Sequence, residues 1–201
     1  MVVDPGFDWT GFYLGVQGGH DWGNSKDVPW GNVGGPLVNN DGPAKMKGWQ
    51  GGIHAGYDYQ INQIVLGVVG DVAASNLQGD DHDRGGHVNG FDASWEASLR
   101  ARAGLSFGNS LAYLTGGWSH LAGDGTVQLS IGGPFIEKQS TSFDGWTVGA
   151  GFEHAFTQNL SANIEYRYTD YGQTVESYTS GYDLGFKPKI NSILFGLSYR
   201  F

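Results

Sequence analysis

The chain has 201 residues, of which 35 are glycine and none is cysteine, with 20 Asp+Glu against 11 Lys+Arg. Glycine at about 17 % disfavours a helical protein, because each one costs a helix interior roughly 1 kcal/mol relative to alanine; with 39 % hydrophobic and 14 % aromatic residues the chain is equally unlike a disordered one. The missing cysteines exclude a disulfide scaffold, a thiolate metal site and a cysteine nucleophile, and the net charge of -9 argues against nucleic acid as a partner. The apolar runs are too short for a spanning helix, so any passage through a membrane must be made of strands. Met1 to Asp8 lack the basic-then-apolar layout of a signal peptide, so an exported protein is expected to begin here as its mature chain.

Apolar residues recur with period two along the chain, the mark of strands with two different faces. Segment 11–19 carries Phe12, Leu14 and Val16 on one face. Segment 49–59 sets Trp49, Ile53, Ala55, Tyr57 and Tyr59 against Gln50, Gly52, His54, Gly56 and Asp58, and 64–74 continues with Leu66, Val68 and Val72. From 94 the polar parity is Ser94, Glu96, Ser98, Arg100, Arg102 and Gly104, opposed by Trp95, Ala97, Leu99, Ala101, Ala103 and Leu105. Segment 111–121 holds Leu114 and Trp118; 146–153 holds Trp146, Val148, Ala150 and Phe152. Segment 160–169 sets Leu160, Ala162, Ile164, Tyr166 and Tyr168 against Asn163, Glu165 and Arg167, and 192–201 ends the series on Ile193, Phe195, Leu197, Tyr199 and Phe201.

Connections between these eight segments alternate in length. Those around 61–63, 108–110 and 157–159 are short, whereas 20–47, 76–92, 123–143 and 172–188 are long and rich in Gly, Asn, Asp and Ser. Short turns at one end, long loops at the other and an even strand count predict an all-β fold. The expected fold is eight antiparallel strands over 1–201 as a single domain, the layout of an eight-stranded antiparallel up-and-down transmembrane β-barrel with short periplasmic turns and long extracellular loops.

Alternation alone leaves open whether the apolar face lines the barrel, as in soluble ligand-binding barrels, or coats it. Three features place it outside. Glycines crowd the polar face, where a narrow lumen needs small residues. Charges on that face nearly balance, with Asp58, Asp71, Glu96, Glu153 and Glu165 against Arg100, Arg102, Arg167 and Arg200. Aromatics gather at segment ends, as two interfacial girdles require.

On these segments the chain is similar to the opacity-like major surface antigens, the small porin family of alphaproteobacterial outer membranes. The resemblance is carried by Trp9-Thr-Gly-Phe-Tyr-Leu-Gly-Val, Leu66-Gly-Val-Val-Gly-Asp-Val, Ser98-Leu-Arg-Ala-Arg-Ala-Gly, Thr115-Gly-Gly, Gly145-Trp-Thr-Val-Gly-Ala-Gly-Phe-Glu and Ile164-Glu-Tyr-Arg-Tyr-Thr-Asp-Tyr-Gly. It covers nearly every strand and none of the loops. Val69 stands where that family often has an inward glutamate. The ending resembles the signal read by the outer-membrane assembly machinery, with Gly196, Tyr199 and Phe201 in its positions. The resemblance implies a Gram-negative outer-membrane location and, as partners, outer-membrane lipids, lipopolysaccharide and the assembly machinery; the partner of the loops stays open.

The candidate functional residues are the inward charges Asp71, Glu96, Arg100, Arg102, Glu153, Glu165 and Arg167, expected to lock the lumen as a plug. Counting along the strands, Asp71, Arg100 and Arg167 fall at one depth, Arg102 and Glu165 at the next, and Glu153 below them. The function expected is a structural outer-membrane surface protein that supports envelope integrity and surface interactions, without cofactor, metal or catalysis. The alternatives are a narrow porin-like channel, a haem- or ligand-binding surface protein, and a lipid A-modifying enzyme. The local cluster Asp80, Asp81, His82, Asp83 and His87 reads as a solvated loop rather than a cation site. Ser119 and His120 are chain neighbours, so on one strand they face opposite ways and cannot act as a nucleophile–base pair.

Overall fold

A computed structural model of the chain describes residues 6–30, 44–82, 88–129, 135–172, 174–177 and 183–201, with side chains for 6–24, 45–79, 91–124, 140–172 and 187–201. Strands run as β1 (Gly11–Trp30), β2 (Ala44–Ile61), β3 (Ile64–Ser75), β4 (Gln78–His82), β5 (Val88–Phe107), β6 (Ser110–Leu129), β7 (Phe135–Ala155), β8 (Leu160–Asp170), β9 (Thr174–Ser177) and β10 (Asp183–Arg200). β4 prolongs β3, and β9 prolongs β8, so these form eight antiparallel barrel strands. β1 pairs with β2 on one side and β10 on the other, which closes the sheet and removes its edges.

The tight turns lie where the sequence puts them. Asn62 adopts a left-handed conformation (φ 56°) between β2 and β3, and Gly108 does so (φ 64°) between β5 and β6, as two-residue hairpin turns demand. The start of β1 and the end of β10 meet at this rim, where the Phe201 amide donates to the Phe12 carbonyl (3.0 Å).

The apolar parity coats the barrel, with Phe12 (66 %), Leu114 (65 %) and Phe195 (61 %) standing free. Phe12, Tyr57, Phe107, Phe152, Tyr199 and Phe201 ring the lower rim; Trp22, Trp49, Trp95, Trp118, Trp146 and Tyr168 ring the upper one. From Phe12 to Trp22 the strand climbs about 25 Å, allowing for the usual rise and tilt, which is the height of a barrel's lipid-facing band.

Two expectations are corrected. The segments 20–47, 76–92, 123–143 and 172–188 are not wholly loop, since β1, β2, β5, β6, β7 and β10 continue well into them. Beyond the lipid the outer face is wet, so the apolar signal that marks a strand disappears while the hydrogen-bond ladder continues. Ser94 is exposed rather than inward, because the pairing of β5 with β6 slips by one residue between Ala93 and Trp95. This bulge reverses the parity of β5 above it, so that Ala93 rather than Ser94 turns inward.

Candidate functional site

Inside the lipid-spanning part, every strand contributes polar side chains, and the charges sort into two groups. The lower one joins Asp58, Arg102, Glu153 and Arg200. Arg102 Nη1 lies 3.0 Å from Asp58 Oδ2 and its Nη2 bonds Glu153 Oε2; Arg200 Nη2 lies 2.9 Å from the same Asp58 oxygen. Glu153 Oε1 also accepts from the Ser161 hydroxyl at 2.6 Å. The Arg102 guanidinium stands 4.0 Å from the Tyr113 ring centre, and that of Arg200 4.8 Å from the Tyr13 ring centre, so aromatic faces cover what the carboxylates leave open.

Above it, Asp71, Arg100, Glu165 and Arg167 form a second group. Arg100 reaches Glu165 (2.5 Å) and Asp71 (2.6 Å), while Arg167 reaches the same two carboxylates at 3.1 and 3.2 Å. Ser98 and Thr115 hydroxyls fill the remaining sites at 2.8 and 3.1 Å. Each group holds two arginines and two carboxylates, so each is neutral. Buried charge is tolerable on that condition, since unpaired ions out of water cost several kcal/mol. A void of about 30 Å³ separates the groups, lined among others by Gln17, His54, Tyr113 and Asn163, and is large enough for a single water.

The pairing differs from the layers counted along the strands. Glu165 belongs with Arg100 and Arg167, not with Arg102, whose partners are Asp58 and Glu153. Barrel shear staggers each strand against its neighbour, so equal distance from the turn is not equal depth. Glu96 is buried but joins neither group: among the described residues no arginine comes within ion-pair range, and it faces Gln50 and Asp21 instead. Asp21, within the segment 20–47 expected as loop, is 1 % exposed and accepts from Gln50 Nε2 at 2.8 Å. His54 points inward and meets the Ser198 hydroxyl at 2.8 Å.

Apolar layers cap this polar interior at both ends. Phe7 and Trp9, from the segment ahead of β1, fold into the lower mouth against Val65, Leu111, Tyr113 and Ala155, and Trp9 is fully buried. At the upper end Met46, Leu77, Ala93, Leu121, Phe143, Tyr171 and Ile190 pack across the bore, with Phe91 edge-on to Phe143 at 5.3 Å. The alternation has inverted here: Lys45 and Lys47 point out while Met46 points in.

Ser119 is inward, 3.2 Å from the Tyr171 hydroxyl, whereas His120 is on the outer face, 2.9 Å from Asp144. The side chains of Asp80, Asp81, His82, Asp83 and His87 lie outside the described residues. At the ending, Phe201 and Tyr199 face outward at the lower rim, and Gly196 faces Asn163 across the lumen wall, where a Cβ would come 2.3 Å from Asn163 Oδ1.

A closed antiparallel barrel with an apolar coat, two aromatic girdles and a polar interior defines an outer-membrane β-barrel of the Gram-negative envelope. Residues 4–201 match the outer membrane protein beta-barrel domain family, and the chain belongs to it. It is 33 % identical over 202 residues to the 25 kDa outer-membrane immunogenic protein of Brucella abortus, covering 100 % of this chain and 83 % of that protein. It is likewise 33 % identical over 205 residues to the 22 kDa outer membrane protein of Rhizobium leguminosarum bv. viciae, covering 99 % and 81 %. In three dimensions it is similar to the outer membrane protein OprG from Pseudomonas aeruginosa, with a TM-score of 0.58, 13 % identity and coverage of 98 % of this chain and 99 % of that one. The last likeness is one of fold alone.

Proposed function

We propose that the protein is a structural, non-catalytic surface barrel whose lumen is closed, and that it serves the envelope through its outer surface and loops. The observation that carries this reading is the stacking of two neutral ion-pair groups between two apolar layers. An ion crossing the barrel would have to break arginine–carboxylate pairs and then enter an apolar layer, each costly in a dry interior. The names of the Brucella relatives, outer-membrane immunogenic proteins, favour a role at the cell surface. The opposed faces of Ser119 and His120 favour a barrel without hydrolytic chemistry. Reconstituted in a planar bilayer, the protein is expected to give no steady single-channel current. Stable, ion-selective conductance would make it a channel instead.

The outward Tyr199 and Phe201 suit the proposed encounter with the assembly machinery, because neither is needed to fill the lumen. Deleting Phe201 is expected to lower the yield in cells several-fold while refolding into detergent stays nearly normal. Equal yields in cells would remove the signal.

A further inference from the structure

We propose that the outer face of β2, β1 and β10, just beyond the upper aromatic girdle, binds the phosphorylated headgroup of an outer-leaflet lipid. The inference rests on the outer-membrane location and is independent of whether the lumen conducts. Of the chain's six lysines, five fall on these three adjacent strands: Lys26, Lys45, Lys47, Lys187 and Lys189. The register brings them together. Lys47 is opposite Trp22, Lys45 opposite Asn24, Asn24 opposite Lys189, and Lys26 opposite Lys187. Lys45, Lys47, Lys187 and Lys189 share the parity of the lipid-facing residues below them, and Lys45 and Lys47 are exposed.

Height identifies the partner. Lys47 is two residues above Trp49 and Lys189 two above Asn191, whose side chain accepts from the Tyr166 hydroxyl (2.6 Å) at the girdle. Two residues raise a tilted strand by about 5 Å. The Lys47 and Lys189 ammonium groups therefore meet the headgroup layer, their stems lying along the aromatic belt, with Lys45 and Lys187 one step further out. Lys189 is held by Asp170 (3.0 Å), and Asp80 is the backbone partner of Lys45. Among the described residues Lys45, Lys47 and Lys187 have no ion-pair partner.

The opposite side of the same rim carries the other sign. Asp92 and Asp124 are cross-strand partners on β5 and β6, both exposed, and Asp144 projects from β7. In a protein of net charge -9, a face on which lysines outnumber acids is not an average of the surface. Its neighbours are lipids, so a soluble polyanion would have to reach past the headgroups to use it. Phosphate on a lipid is already at that level.

The test uses the full chain in mixed micelles and counts lipid retained by native mass spectrometry. The probes are diphosphorylated lipid A, the same glycolipid with its phosphates removed, and inorganic phosphate as competitor. The wild type is expected to retain the phosphorylated lipid roughly tenfold or more better than the dephosphorylated one, a modest figure for several lysines acting together. Changing Lys45, Lys47, Lys187 and Lys189 together to Gln should erase that preference, and changing them to Arg should keep it. Asp92→Asn with Asp124→Asn, which alters charge on the far side, should leave it intact. All variants should retain the compact unheated gel band, since the substituted side chains leave the lumen untouched. Equal retention of the two lipids by wild type, or a preference that survives the Gln variant, would overturn the proposal. So would displacement by millimolar inorganic phosphate, which would mean a site for the free ion.

Discussion

Arg102→Ala is expected to lower the stability of the barrel by on the order of 3–5 kcal/mol, because it leaves Asp58 and Glu153 buried with one cation removed. It also strips the guanidinium from the Tyr113 face. Glu153→Ala should cost a similar amount by leaving Arg102 and Arg200 with Asp58 as their one shared carboxylate. The double variant should cost less than the sum by roughly 1–3 kcal/mol, since neither partner then faces an empty place. The same cycle run on Arg102 with Glu165 should give a clearly smaller coupling, because Glu165 pairs with Arg100 and Arg167 in the other group. Urea unfolding in detergent, followed by tryptophan fluorescence, measures all of these. Equal coupling in the two cycles would dissolve the division into separate groups and return the lumen to one continuous network.

Two neighbouring glycines should respond in opposite ways to the same substitution. Gly52 faces the lumen, and a Cβ there would sit 2.1 Å from the Val72 carbonyl oxygen and 2.5 Å from Ala73 Cα on the next strand. Backbone cannot swing aside as a side-chain end can, so Gly52→Val forces β2 and β3 apart where they are paired. Gly51 faces lipid, and the nearest atom to its Cβ position is 3.9 Å away. Gly51→Val should therefore fold as well as the wild type or better, since valine suits a strand and its methyl groups enter an apolar surround. Refolding yields read from the compact band on unheated gels should be near wild type for Gly51→Val and nearly lost for Gly52→Val. Similar yields for both would mean that the lumen wall is looser than its geometry indicates.

The amino-acid sequence determined the strands, their number and the side each residue faces within the lipid band, because there one face meets hydrocarbon and the other a crowded polar bore. That contrast is written residue by residue in the alternation, and it was enough to bring Asp71, Arg100, Arg102, Glu153, Glu165 and Arg167 into the interior. It also marked the short turns, whose left-handed positions at Asn62 and Gly108 select their own residue types. Which arginine meets which carboxylate was decided only by tertiary structure: the stagger between strands sets depth, and no single strand's sequence records it. The same holds for Glu96, inward as its parity requires yet in neither ion-pair group, and for Asp21, on a stretch of β1 that reads as loop. Above the girdle the contrast between faces inverts, with Met46 and Ile190 inside and lysines outside. The local pattern there no longer distinguishes a barrel wall from a solvated loop. Only closure of the sheet, through β1 against β10, turns those residues into a packed apolar layer.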